Sequence, residues 1–191
     1  MAETVKKTKF QSPLPILIRL RNIVFGKTKP DIYTRLIFWI NLLICIAFLV
    51  WCILGYLAIV SRELVFDVKE IDVEQIIEMR GKELGFEIGT FIERLTYLYI
   101  VGAISWIVFF IGLVLLYRKK VAFIYVTMLG FLTYLAMAMF YLGFQYFVED
   151  TTLFDKICLL IAGLSLLLHG YFLLRKRRGE APNFFGEAEE D

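Results

Sequence analysis

The stretch Gly112–Val126, GLVLLYRKKVAFIYV, places three cations, Arg118, Lys119 and Lys120, between two long apolar runs. Read as one helix, the chain from Leu95 to Val148 would be ~80 Å long at ~1.5 Å per residue. That is far too long for a single crossing of a hydrocarbon layer ~30 Å thick. Leaving the three cations in lipid would cost ~2.5–3.5 kcal/mol each near the bilayer centre. The chain must therefore turn at Tyr117–Lys120, a tight helical hairpin at one membrane face with Tyr117 at the level of the headgroups.

Working outward, four runs reach spanning length: Leu36–Val60, Leu95–Leu116, Val121–Val148 and Ile157–Leu174. About 20 residues of helix are needed to cross, and none of the four contains Asp, Glu, Lys or Arg. A helix buried in a water-soluble protein rarely runs so far without a charged face. Composition agrees: 59% of the 191 residues are hydrophobic, against 45–50% or so in soluble domains, and the mean hydropathy is +0.70. The fold class expected is all-α, a polytopic four-transmembrane-helix bundle.

Orientation follows from charge. Lys6, Lys7, Lys9, Arg19, Arg21, Lys27, Lys29 and Arg35 precede the first span, the 118–120 turn is purely basic, and Arg175, Lys176, Arg177 and Arg178 follow the fourth span. The loop at 61–94 holds nine acidic residues against five basic, and the connection before the fourth span has Glu149, Asp150 and Asp155 against Lys156. Basic and acidic segments alternate at each crossing, so the positive-inside rule puts both termini and the hairpin in the cytoplasm. The expected organisation is a basic segment at 1–34, the bundle at 35–174 with a helical extracytoplasmic loop at about 61–94, and a tail at 175–191, basic then acidic and disordered. The location expected is an integral, multi-pass one, with a bacterial inner membrane favoured over a eukaryotic membrane.

No secretory leader is read at the start, because PLPILIRL is short and interrupted by Arg19. Residues 13–25 admit a helix lying on the headgroups or a basic leader without structure. In the outer loop, Asp72 followed by Gln75 fits a capping box. Gly81, Gly85 and Gly89 recur every four residues. On one helix they would form a bare stripe for close approach; the plainer reading, that they end one helix and start another, is favoured because glycine in a polar helix costs ~1 kcal/mol. The Phe184–Phe185 pair in the tail is a weak docking signal.

Within the spans, Asn41, Cys45, Cys52 and Gly55 fall on one seam, as do Gly102, Ser105 and Gly112, and Cys158, Ala162, Ser165 and His169. Small and weakly polar residues at such spacing are what membrane helices use to pack. In the third span Thr127, Tyr134, Ala138, Tyr141 and Gln145 share a face, with Gly130, Thr133 and Ala136 read as lying off it. A polar seam of Asn41, Ser105, Tyr134, Tyr141, Gln145, Ser165 and His169 is the candidate site inside the membrane. His169, the one histidine, suits a proton carrier or a haem ligand, but a packing histidine bonded across the bundle is the simpler expectation. The cysteines form no C-x-x-C pair, which argues against a quinone-coupled disulfide enzyme. No carboxylate lies within a span to mark an ion pathway. Residues expected to meet a partner or lipid are Arg118, Lys119, Lys120, Arg175, Lys176, Arg177, Arg178, Gly81, Gly85 and Gly89.

No catalytic, metal or cofactor residues are expected, and no nucleic acid. Three functions remain, in order: a non-catalytic scaffolding, anchoring or regulatory subunit that meets the bilayer and other membrane subunits or itself; a small transporter or channel component; and a membrane-embedded enzyme acting on lipid or quinone through a cleft beside His169, Arg175 and Lys119.

Overall fold

A computed structural model of the chain describes residues 22, 26, 30–62, 66 and 72–177. The possible interfacial helix at 13–25, all but residue 22, and the tail with Phe184–Phe185 and Arg178 lie outside the described residues. Those described are helical, with no strand among them. Four helices are long and apolar enough to cross a membrane, and the protein is a small integral membrane protein. The two ends of the bundle are called here the basic and the acidic face, after their charge.

The first span, α1, runs Ile32–Val60. It begins earlier than the apolar run does, because Pro30 ends the preceding chain and Asp31 caps the helix: its carboxylate accepts from the Thr34 N–H at 3.0 Å. In the loop that follows, α2 covers Val73–Glu83, capped by Asp72 accepting from the Gln75 N–H at 2.9 Å. It closes with Gly85 at φ +84°, the Phe86 N–H reaching the Gly81 carbonyl at 2.9 Å, a glycine-terminated helix end. Gly89, at φ +81°, then begins α3, Thr90–Tyr117. Gly85 thus ends one helix and Gly89 starts the next, while Gly81 lies inside α2. Gly81 alone sits at a helix contact, where a Cβ would lie 2.6 Å from that of Phe91.

The α3–α4 turn is built the same way at the basic face. Lys119 adopts φ +55°, the Lys119 N–H bonds the Leu116 carbonyl and the Lys120 N–H the Leu115 carbonyl. This is the hairpin that the three cations required.

The third span differs from the expected 121–148. Helix α4 is Phe123–Tyr141; the chain breaks at Leu142, with Gly143 at φ +80°, and resumes as the short α5, Gly143–Glu149. At ~1.5 Å per residue α4 is ~28 Å long, which suffices for the hydrocarbon layer without the following residues. The fourth span, α6, is Leu153–Arg177. Its start carries a reciprocal cap: the Asp155 N–H donates to Thr152 Oγ1 at 3.1 Å and the Thr152 hydroxyl to Asp155 Oδ2 at 2.7 Å.

α3 is the centre of the bundle, with 39% of its span buried against 28% for each of the others. It packs extensively on α4 and on α1, whereas α6 lies against α1 and touches α4 sparsely. The α3–α4 contact is backbone to backbone. A Cβ on Gly130 would lie 2.5 Å from the Ser105 carbonyl and 2.8 Å from the Phe109 nitrogen, and one on Gly112 would meet Thr127, 2.7 Å from its nitrogen. Gly130 thus lies in the interface, not off it. Three residues beyond Thr127, it is only ~60° around the helix at 3.6 residues per turn.

Candidate functional site

Polar side chains gather in two places. At the basic face Asp31, fixed as the cap of α1, accepts the Thr34 hydroxyl proton at 2.8 Å. The Thr34 oxygen, 3.1 Å from His169 Nε2, has already given up its only proton, so it must accept. His169 therefore carries a proton on Nε2, and Asp31, Thr34 and His169 form a directed chain from the membrane surface into the bundle. Thr34 is 1% exposed. The Phe123 ring stands 6.2 Å from the imidazole. Desolvation at the helix end pushes the Asp31 carboxyl up, but the Thr34 N–H and hydroxyl and the charge of Lys119 outweigh it, holding it below the usual carboxylate range.

Deeper in the bundle, Asn41 Nδ2 donates to Ser165 Oγ at 2.9 Å and to the Ile37 carbonyl at 2.9 Å. The structure thus brings Asn41, Ser165 and His169 together along α1–α6. Asn41 Oδ1, Ser105 Oγ and Trp106 Nε1 are buried without a partner among the described residues. Ser105 and Trp106 belong to α3, whose Trp106 carbonyl accepts from Cys45 Sγ at 3.3 Å.

The remaining seam candidates go elsewhere. Tyr134 packs edge-on against Phe48 and tilted against Trp106, with centroids at 5.8 and 5.4 Å. Tyr141 is exposed at the end of α4, where Arg94 donates to its carbonyl at 3.1 Å. Gln145, beyond the Gly143 break, is exposed and donates to Glu149 Oε1 at 3.0 Å. The break resets the helix phase, so the face drawn through residues 134, 141 and 145 does not exist as one surface.

The acidic face forms the second gathering. Arg80 Nε and Nη2 both donate to Asp150 Oδ1, at 2.7 and 2.5 Å, and Nη2 reaches Glu149 at 3.3 Å; Nη1 bonds Glu83. Hydrogen bonds to Asp150 and Glu83 push the Arg80 guanidinium further up, so it is a permanent cation. It ties α2 to the α5–α6 connection. Beneath this knot is a small cavity of about 70 Å³ walled by Phe48, Trp51, Tyr134 and Tyr146, with Asp150 and Asp155 at its rim.

The chain matches no family model, no curated protein and no solved structure. Geometry alone must carry the functional reading.

A further concavity lies apart from both polar gatherings. Between α4 and α6 lies an apolar groove of about 540 Å³, floored by Phe131 and Gly163, walled by Leu135, Leu160 and Leu164 and bounded at the acidic end by Lys156. Lys156 Nζ donates to the Val148 carbonyl at 2.7 Å. At the turn Arg118, Lys119 and Lys120 are exposed, as is Arg175; the side chains of Lys176 and Arg177 lie outside the described residues. Among those residues no cluster of His, Cys, Asp and Glu has the make-up of a metal site.

Sequence reading missed two things. The sequence places Thr34 in the segment before the first span, because Arg35 hides the helix start; the signal that marks it is Pro30–Asp31 followed by Thr34, a capping pattern. The cavity at the acidic face was missed because its walls come from every helix except α2, and no local spacing records that.

Proposed function

We propose that the chain is a non-catalytic membrane subunit that seats an apolar transmembrane helix of another subunit in the α4–α6 groove. The observation that supports this is the groove itself. Elsewhere the bundle closes by glycine contact or buried hydrogen bonds, yet here two helices that face one another stand apart over apolar side chains. Hydrophobicity gives helices in lipid no reason to associate, so they do so by close packing. A passing helix would insert several side chains into the groove at once, with Gly163 giving room at its floor.

The basic end is packed shut around Phe38, Leu116, Phe123 and His169. That offers no support for an enzyme working through a cleft there. A second reading, a transporter component, is favoured by the cavity at the acidic face.

The test is extraction of the full chain in mild detergent, with a photo-crosslinker at Leu164 in the groove and, as control, at Ile107 on another exposed face. The expected result is one stoichiometric membrane protein crosslinked from position 164 and not from 107, and lost when Gly163→Leu fills the groove. Recovery of a partner-free monomer, or equal crosslinking from both positions, would refute the reading.

A further inference from the structure

The cavity at the acidic face has a chemistry that the groove lacks. Phe48 and Trp51 come from α1, Tyr134 from α4 and Tyr146 from α5. Phe48 and Tyr134 meet edge to face, with centroids 5.8 Å apart, so they form a corner rather than a stack. Phe48 in turn stacks on Trp106 at 4.8 Å, which fixes the corner to the centre of the bundle. At the rim, Asp150 spends Oδ1 on Arg80, and Asp155 spends Oδ2 on Thr152. The other oxygen of each carboxylate has no partner among the described residues. The hydroxyls of Tyr134 and Tyr146 also make no hydrogen bond among the described residues.

Aliphatic Leu98, Ala138 and Leu159 complete the wall; the rest of the lining is rings, hydroxyls and carboxylates, with no lysine or arginine. Arg80 does not neutralise the rim, since it is one cation against Glu83, Glu149 and Asp150. Negative ring faces with a carboxylate beside them attract a cation whose own hydration is weak, as a quaternary ammonium's is. Metal ions of high charge density would need more oxygen ligands than two carboxylates. A volume of about 70 Å³ holds several waters, or one small ammonium head.

We infer that this cavity is a binding site for a small organic cation bearing a quaternary or alkylated ammonium group. The cavity adjoins the groove, sharing Phe147 and Leu159 as walls, but its polar lining is its own, and the inference stands whether or not a partner helix is found.

The experiment is calorimetric titration of the full chain, purified in an uncharged detergent, with choline and with tetramethylammonium. The uncharged carbon isostere of choline serves as control. Saturable binding of one cation per chain is expected, and the isostere should bind at least about tenfold more weakly. Asp155→Asn, whose amide oxygen can still accept from Thr152, should weaken choline by about tenfold or more. Trp51→Leu, at a wall position exposed enough to tolerate change, should weaken it while leaving helicity and monodispersity unaltered. Absence of saturable binding, equal binding of the isostere, or affinity unmoved by both substitutions would overturn the assignment.

Discussion

Helix α4 meets two other spanning helices and treats them differently. Against α3 it presses backbone to backbone through Gly130 and Gly112. Against α6 it leaves a groove, although Gly163 faces it there as well; a Cβ at that position would lie 3.3 Å from the Phe131 ring. A glycine in a membrane helix is thus no guarantee of close packing. What distinguishes the two faces is what the missing Cβ would strike: fixed backbone in one case, the rim of a movable ring in the other. The covalent turn reinforces the difference, since α3 and α4 are joined by a tight hairpin while α6 reaches α4 only through α5 and a loop.

The sharpest way to break this contrast is one methyl group on each side. Gly130→Ala drives a Cβ into the Ser105 carbonyl and the Phe109 nitrogen, neither of which can move without bending α3. A destabilisation of ~1–3 kcal/mol is expected, as for overpacking in a filled core. Gly163→Ala meets only Phe131, which can swing into the groove, and alanine is favoured over glycine in a helix by ~1 kcal/mol. Its effect should be neutral or stabilising. Denaturant-induced unfolding in detergent micelles, followed by circular dichroism, reads both. Equal costs would mean that the groove is as tightly closed as the α3–α4 contact.

A second substitution sharpens the tight side. Lys119 holds a left-handed conformation at φ +55°, which costs an L-residue ~1–2 kcal/mol relative to its right-handed form. Lys119→Gly should raise the unfolding midpoint by an amount corresponding to ~1 kcal/mol. A lowered midpoint would show that the lysine contributes more through its charge beside Asp31 than it loses in backbone strain.

The loose side can be loosened further. α6 is riveted to α1 by Asn41–Ser165 and Thr34–His169. Hydrogen bonds between membrane helices average ~0.6 kcal/mol. Ser165→Ala and His169→Leu together should therefore cost ~1 kcal/mol, and the added hydrogen exchange should be confined to α6. Exchange that spreads into α3 and α4 would show that the fourth helix is integral to the core rather than laid against it.

The fold was legible because its signals are long and cheap to read. Cations such as Arg118–Lys120 cannot remain in hydrocarbon, and that one fact sets the hairpin. The helix count and the seam through Asn41, Cys45 and Cys52 follow from the same energetic ground. The site was less legible. A helix phase holds only while the helix is unbroken, and Gly143 destroys the phase that tied Gln145 to Tyr134. Gly130 was misplaced because one assumed axis set the face. The cavity at the acidic face draws Trp51, Tyr146 and Asp155 from distant parts of the chain, and their meeting depends on packing that no periodicity encodes.

The smallest expected effect joins the two sides of the comparison. Asp31 caps α1, holds Thr34 on His169 of the loosely packed α6, and feels Lys119 of the tight hairpin. Its carboxyl titrates below the ordinary range, so the folded state binds the proton less readily than the unfolded chain, where a value near ~3.9 applies. The stabilisation is therefore fully present above about pH 4 and disappears as pH falls through the lower, folded value. Because the carboxylate is exposed, the effect should be modest and is read by difference. Between pH 5 and 3, hydrogen-exchange protection at the His169 end of α6 should fall more in the natural chain than in Asp31→Asn, whose uncharged amide oxygen still accepts from the Thr34 N–H. Parallel curves for the two chains would mean that the Asp31–Thr34–His169 link carries no part of the hold on α6, leaving Asn41–Ser165 to secure that helix alone.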